Sequence, residues 1–178
     1  MEKKFACLTG LLILVGLGLV SCGTSSSSNT VTGTGLLYVT TQGNQSISAW
    51  GINLTTGVIS TNGNAAKTGN MPAAVVTVGS AAFVANKQDN TISSFTLNAD
   101  GTLTVAGSAT ALKSPALTPM AMTVDPTGKF LFVANQGTFD NSQPGSISVL
   151  SISGTTLTEI TGSPFSTEPR VLQQICYK

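Results

Sequence analysis

The sequence predicts an all-β protein: an incomplete β-propeller of about three four-stranded antiparallel blades, the first lacking its inner strand. Three observations support this prediction. Only 8% of the 178 residues are charged, and Thr, Ser, Gly and Val are abundant, which disfavours solvent-exposed helices. A short aromatic strand recurs about every 45–50 residues, the spacing of a repeat protein. Asn, Asp and Gly separate the apolar segments, as they do in tight turns between antiparallel strands.

Each repeat contains the same order of strands. The aromatic strand has three copies, at 37–41, 82–86 and 131–135. A Ser/Ile-rich strand follows each copy, at 46–50, 91–95 and 146–150, and a Thr/Leu-rich strand comes after the next turn. A strand of small apolar residues precedes only the second and third copies, at 72–78 and 119–124. Small side chains suit the crowded centre of a propeller, so this strand is the predicted inner strand. Trp50, Phe95 and Leu150 are expected to pack between sheets.

The N-terminus is predicted to be a lipoprotein signal peptide, residues 1–21. A basic start precedes an apolar run, Phe5 to Val20, that is shorter than the roughly 20 residues of a membrane span. The run ends in Leu-Val-Ser-Cys, which resembles a bacterial lipobox and makes Cys22 the expected lipidation site. An ordinary signal peptide with an incidental cysteine is the alternative. Lipidation would anchor the protein in a membrane of the bacterial cell envelope, on its periplasmic or extracellular side.

The remaining chain divides into a tether, the repeats and a tail. Residues 22–34 are rich in Ser, Gly and Thr, and we expect a flexible tether there. The partial propeller is predicted over 35–169, in units of about 35–68, 69–115 and 116–168. Residues 170–178 do not match the repeat.

The best copy of the repeat, Val124 to Asn135 with the sequence VDPTGKFLFVAN, resembles the lactonase-type seven-bladed β-propellers. That family is named for 6-phosphogluconolactonase and is related to YVTN-type surface repeats. The resemblance implies seven blades, so this chain is expected to be truncated to about three. Open, weakly charged blade edges favour association, so self-association is expected.

Candidate binding residues lie in the loops that follow the aromatic strands and between the units. Successive connections of an antiparallel blade alternate between two rims, so these loops share one rim. Longer polar loops carry function more often than tight turns do. The candidate binding rim comprises Asn86, Lys87, Asp89, Asn90, Lys113, Asn135, Gln136 and Asp140. For the asparagines, capping of a turn through local hydrogen bonds is the simpler interpretation.

Several classes of chemistry are excluded or not indicated. The chain contains no histidine, which excludes a Ser-His-Asp triad and any His-ligated metal. No catalytic residue, metal site or cofactor is predicted. A formal net charge of +1 gives no reason to expect nucleic-acid binding.

Two functions from different classes remain. The first is a lipid-anchored binding or scaffolding protein of the envelope, with an unknown protein or carbohydrate ligand. The second, which the family resemblance implies, is a lactone hydrolase similar to 6-phosphogluconolactonase. The binding role is preferred here, because only scattered lysines are available to a phosphorylated sugar. Loss of function through truncation is a third interpretation.

Overall fold

The structure is a computed structural model that describes residues 34–138 and 142–167. Within these ranges the chain forms three antiparallel β-sheets and no helix, which confirms the predicted all-β, incomplete propeller. The predicted signal peptide, Cys22, nearly all of the tether and the tail at 170–178 lie outside the described residues.

The three sheets, here called blades 1 to 3, have the same plan. Blade 1 contains β1 (Thr34–Thr41), β2 (Ser46–Asn53), β3 (Ile59–Thr61) and β4 (Ala66–Lys67). Blade 2 contains β5 (Pro72–Val78), β6 (Ala81–Asn86), β7 (Thr91–Leu97), β8 (Leu103–Val105) and β9 (Thr110–Ala111). Blade 3 contains β10 (Pro119–Val124), β11 (Phe130–Asn135), β12 (Ser146–Ser153), β13 (Thr156–Glu159) and β14 (Phe165–Ser166). Among the described residues blade 1 has no counterpart of the inner strands β5 and β10, as predicted.

Register is conserved from blade to blade. The aromatic strand pairs with the Ser/Ile-rich strand through the same Val–Ser pair each time: Val39–Ser48, Val84–Ser93 and Val133–Ser148. Residues paired across an antiparallel ladder lie on the same face of the sheet. Equivalent positions of the three blades therefore face in the same direction around the fan.

Apolar side chains fill the two gaps between the blades. Phe83 and Ile92 of blade 2 pack with Leu131, Val133 and Leu150 of blade 3 in one cluster. In the second cluster, Ile47 and Tyr38 of blade 1 pack with Val84 and Phe95 of blade 2. Burial between sheets is confirmed for Phe95 and Leu150 but is wrong for Trp50. Trp50 is only partly buried, because its face of blade 1 has no neighbouring blade among the described residues.

The linkers that enter blades 2 and 3 share an unusual backbone. Met71 and Thr118 both have positive φ, 52° and 62°, which is uncommon outside glycine. The carbonyl of Met71 accepts a hydrogen bond from the N–H of Lys87 at 2.9 Å, and that of Thr118 accepts one from Gln136 at 3.0 Å. Each linker is thus fixed to the end of the aromatic strand in the blade that it enters.

Tight turns occupy the opposite rim, and Asp125 organises the one between β10 and β11. Its carboxylate accepts hydrogen bonds from the backbone N–H groups of Thr127 (3.0 Å), Lys129 (2.7 Å) and Phe130 (2.6 Å). Desolvation alone would raise the pKa of Asp125. The hydrogen bonds from the Thr127 hydroxyl and these backbone groups outweigh that effect and lower the pKa below its usual value.

Candidate functional site

Asn86, at the end of β6, is the centre of a buried hydrogen-bond network on the candidate rim. Its amide nitrogen donates to the hydroxyls of Thr91 and Ser93, both at 2.9 Å, and its carboxamide oxygen accepts from the N–H of Gly69 at 3.0 Å. The side chain is fully buried and its hydrogen-bonding groups are paired. Asn86 therefore joins β6, β7 and the linker into blade 2, in agreement with the capping interpretation.

Asp89 lies beside Asn86 because both side chains pack around Gly69. A Cβ atom on Gly69 would lie 2.6 Å from Oδ2 of Asp89 and 2.7 Å from Cγ of Asn86, so only glycine fits. The Asp89 carboxylate accepts hydrogen bonds from the backbone N–H of Asn70 (2.7 Å) and from its side chain (2.8 Å). Asp89 is nevertheless exposed, so its carboxylate is accessible to a ligand.

Asn90 connects this cluster to the next blade. Its carboxamide oxygen accepts a hydrogen bond from the N–H of Thr118, in the linker to blade 3, at 2.7 Å. Its φ of 54° lies in the left-handed region, which Asn tolerates better than most residues. Asn86, Asp89 and Asn90 are thus brought together in one loop.

Asn135 and Gln136 form the equivalent corner of blade 3, but here two side-chain oxygens receive no hydrogen bond from the described residues. The amide nitrogen of Asn135 donates to Ser146 at 3.2 Å and to Ser148 at 2.9 Å. Its carboxamide oxygen and that of Gln136 are both buried, and neither has a hydrogen-bond partner among the described residues. A buried oxygen of this kind is the usual site of an ordered water or of a ligand donor.

The two lysines of the predicted rim have different environments. The ammonium group of Lys113 lies 3.4 Å from the carbonyl of Glu159 on the outer strand β13, and its backbone N–H donates to the Glu159 carboxylate at 2.8 Å. These contacts place Lys113 toward the perimeter. In the described part of the chain the ammonium group of Lys87 forms no hydrogen bond or ion pair, and this side chain is partly exposed. Asp140 lies outside the described residues.

The rim offers a carboxylate, an ammonium group and unpaired amide oxygens. In the described ranges no group of three or more His, Cys, Asp or Glu side chains could hold a metal ion. The chemistry available there is proton transfer by Asp89 and electrostatic stabilisation by Lys87.

Sequence reasoning missed the residues beneath the rim. Gly69, Ser93 and Ser148 were not candidates, yet they position Asn86 and Asn135. A sequence pattern shared by blades 2 and 3 could have identified the two serines. An Asn ends the aromatic strand, and a Ser/Thr-x-Ser triplet begins the strand that pairs with it.

A cavity of about 330 Å³ lies on the opposite side of blades 1 and 2. Residues of β1, β2 and β3 line it together with the turn at Asp100. Two of its polar side chains are already engaged: Asn62 donates to the Asp100 carbonyl at 2.9 Å, and the Asp100 carboxylate accepts from the Thr102 N–H at 2.9 Å. The cavity is therefore not part of the candidate site.

Comparison with known proteins identifies the family. The family model described as lactonase, seven-bladed β-propeller, matches residues 30–169. The chain belongs to this lactonase family. The repeated Val–Ser register and the positive φ shared by the two linkers are therefore features of three lactonase-type blades.

Solved structures show the same fold. A candidate 6-phosphogluconolactonase from Bacteroides uniformis superposes with a TM-score of 0.62 at 14% identity, over 74% of this chain and 38% of that one. A second, from Bacteroides fragilis, gives 0.60 at 16% identity, over 79% and 41%. The periplasmic gluconolactonase of Pseudomonas aeruginosa gives 0.54 at 20% identity, over 69% and 36%. The lactonase chain described here thus matches well under half the length of each structure.

Two further searches, one of curated proteins and one for membrane-spanning helices, are negative. No curated protein matches the sequence. No helix long and apolar enough to cross a membrane occurs in residues 34–138 or 142–167.

Proposed function

We propose that this chain belongs to a lactone hydrolase and that the candidate rim faces the substrate. The observation that carries the proposal is the lactonase family match across all three blades. Two of the similar structures are described as candidate 6-phosphogluconolactonases and one as a gluconolactonase, which favours a sugar lactone as substrate. No finding favours the binding or scaffolding role, so the alternative from the sequence becomes the preferred function.

Lactone hydrolysis requires a general base and a group that stabilises an oxyanion, and the rim could supply both. Water adds to the ring carbonyl, the carbonyl oxygen becomes an oxyanion, and the ring C–O bond then breaks to give the hydroxy acid. A base must accept the proton of the water, and a donor must stabilise the oxyanion. We assign the first role to the exposed carboxylate of Asp89 and the second to the ammonium group of Lys87. The unpaired oxygen of Asn135 is fully buried and is suited to hold an ordered water beneath the substrate.

An unphosphorylated sugar lactone fits this rim better than a phosphorylated one. Phosphate recognition commonly uses several charge-assisted hydrogen bonds from cationic side chains. The ammonium group of Lys67 is engaged with the Asn44 carbonyl at 3.1 Å, and that of Lys113 with Glu159. Among the described rim residues, Lys87 is the only lysine whose ammonium group forms no hydrogen bond or ion pair.

The test compares hydrolysis of glucono-δ-lactone and of its 6-phosphate by the purified full chain. We expect a rate above spontaneous hydrolysis with the unphosphorylated lactone. Asp89→Asn should lower it about 10²-fold or more, as loss of a general base does. Asp100→Asn is the matched control, because Asp100 is an exposed carboxylate of the opposite rim. A rate no higher than the spontaneous one for both lactones would overturn the proposal.

We also propose that Cys22 anchors the protein to a membrane of the cell envelope. The lipobox-like sequence supports this, and the name of the Pseudomonas relative places that protein in the periplasm. Expression in a Gram-negative host with labelled palmitate tests it. The wild-type chain should carry label and pellet with membranes, whereas Cys22→Ser should not be labelled. Equal labelling of the variant would exclude lipidation at this cysteine.

A further inference from the structure

The sequence contains one Asn-Gly pair, Asn62-Gly63, and one Asp-Gly pair, Asp100-Gly101. In such a pair the glycine leaves its own backbone nitrogen unshielded, so this nitrogen can attack the preceding side-chain carbonyl carbon and close a succinimide ring. The fold brings the two pairs together. Asn62, in the turn between β3 and β4 of blade 1, donates from Nδ2 to the Asp100 carbonyl of blade 2 at 2.9 Å.

The contact between the two blades favours glycine in both pairs. A Cβ atom on Gly63 would lie 2.7 Å from Cγ2 of Thr102, and one on Gly101 would lie 2.5 Å from Nδ2 of Asn62. The φ angles of the two glycines, 76° and 83°, also lie in the left-handed region. Other residues are therefore disfavoured at both positions, and the fold retains two dipeptides that are prone to succinimide formation.

The Asp100-Gly101 pair is protected from this reaction. The N–H of Gly101 donates to the Asn98 carbonyl at 2.8 Å, so the nitrogen that would attack is engaged. Hydrogen bonds from the hydroxyl and the backbone N–H of Thr102 lower the pKa of Asp100. The Asp100 carboxylate is therefore ionised at neutral pH, and an ionised carboxylate resists attack by a nucleophile.

The Asn62-Gly63 pair has neither protection. The backbone N–H of Gly63 forms no hydrogen bond with the described residues, and Gly63 is exposed. The carboxamide of Asn62 carries no charge that would repel a nucleophile. A single exposed hydrogen bond, to the Asp100 carbonyl, restrains this side chain, and exposed hydrogen bonds are among the first to open.

We propose that Asn62 is a deamidation site and that its modification loosens the contact between blades 1 and 2. The nitrogen of Gly63 bonds to Cγ of Asn62, the Cγ–Nδ2 bond breaks, and ammonia leaves with the proton of the Gly63 N–H. One water molecule then opens the succinimide to aspartate or isoaspartate. The new carboxylate cannot donate to the Asp100 carbonyl, so two acceptors face each other where a hydrogen bond stood.

Peptide mass mapping of the full chain tests the modification, after incubation in mildly alkaline buffer with a non-ionic detergent that accommodates the apolar N-terminus. The residue at position 62 should gain the mass difference between NH₂ and OH, and the modified fraction should grow with time and with pH. Asn64, exposed in the same turn but followed by Ala65, is the internal control. An intact Asn62, or equal modification of Asn64, would overturn the proposal.

Asn62→Asp reproduces the aspartate product and tests its effect on the blades. We expect the thermal midpoint to fall by about 2–4 °C, as loss of one hydrogen bond does in a chain of this size. Asn64→Asp is the matched control, because it adds the same charge to the same turn and its side chain forms no hydrogen bond with the described residues. Its midpoint should equal that of the wild type.

Two results would overturn the proposed loosening. An unchanged midpoint for Asn62→Asp would mean that the Asn62–Asp100 contact does not stabilise the pair of blades. Equal losses in Asn62→Asp and Asn64→Asp would assign the effect to charge alone. Neither the mass mapping nor the melting depends on lactone hydrolysis.

Discussion

Asn86 and Asn135 occupy equivalent positions at the ends of β6 and β11, but only Asn86 has a donor for its carboxamide oxygen. The N–H of Gly69 supplies it at 3.0 Å, whereas the carboxamide oxygen of Asn135 is buried without a partner among the described residues. The difference arises in the linkers. Ala116 stands where blade 2 has Gly69, and its N–H is bonded to the Lys113 carbonyl at 2.9 Å.

Removal of these two asparagines should therefore have unequal effects. Asn86→Ala leaves three partners unpaired, of which Ser93 is buried and Gly69 and Thr91 are partly buried, whereas Asn135→Ala also removes an acceptor that was already unsatisfied. We expect Asn86→Ala to lower the free energy of unfolding by about 1–2 kcal/mol more than Asn135→Ala does. Urea unfolding of both variants at one protein concentration measures the difference. Equal losses would show that the oxygen of Asn135 is satisfied in solution.

A methyl group on Gly69 should disturb the same corner from the other side. Its Cβ would lie within 2.8 Å of Asn86 and Asp89, so Gly69→Ala should cost about 1–3 kcal/mol of unfolding free energy. Gly43→Ala is the matched control, since no atom lies within 4 Å of its Cβ. The thermal midpoint should fall for the first variant and stay constant for the second. A neutral Gly69→Ala would contradict the close packing of this loop.

Stability should fall on acidification because of Asp125. A carboxyl group with a lowered pKa stabilises the fold at pH values above about 3.9, its unfolded value, and this contribution is lost as the pH falls through the lower, folded pKa. Asp125→Asn removes the titrating group, so its unfolding free energy should depend less steeply on pH below about 4. Denaturant unfolding between neutral and acid pH measures both slopes. Parallel curves for the two proteins would mean that these hydrogen bonds do not favour the ionised form.

Trp50, the single tryptophan, should report association of the chain. It is partly exposed on the face of blade 1 that no described blade covers, so self-association through this open blade would bury it. Its emission should move to shorter wavelengths, and acrylamide quenching should weaken, as protein concentration rises. Spectra that do not vary with concentration would place Trp50 outside any interface.

The sequence was sufficient for the strands that repeat a strong pattern. Aromatic and small apolar runs identified β6, β11, β5 and β10, because the same pattern recurs from one unit to the next. The two-residue strands β4, β9 and β14 were not predicted, since two residues carry no periodicity. Each of them adds one further pairing to the Ser/Ile-rich strand of its blade, which only the fold reveals.

The rim was predictable in location but not in detail. The aromatic strands showed where Asn86 and Asn135 would be, and both are placed at strand ends. Their different hydrogen bonding depends on the backbone direction at Gly69 and Ala116, residues distant in sequence. Trp50 was expected to be buried by analogy with Phe95, but burial depends on a neighbouring blade rather than on the residue itself.

The shared left-handed backbone at Met71 and Thr118 makes whole blades interchangeable in principle. Each residue turns the chain out of one sheet and into the inner strand of the next with a similar positive φ, 52° at Met71 and 62° at Thr118. A gene segment excised at one of these positions and rejoined at the other would keep strand direction, rim and curvature. Propellers with different blade numbers can therefore arise by recombination at two codons, without redesign of any sheet.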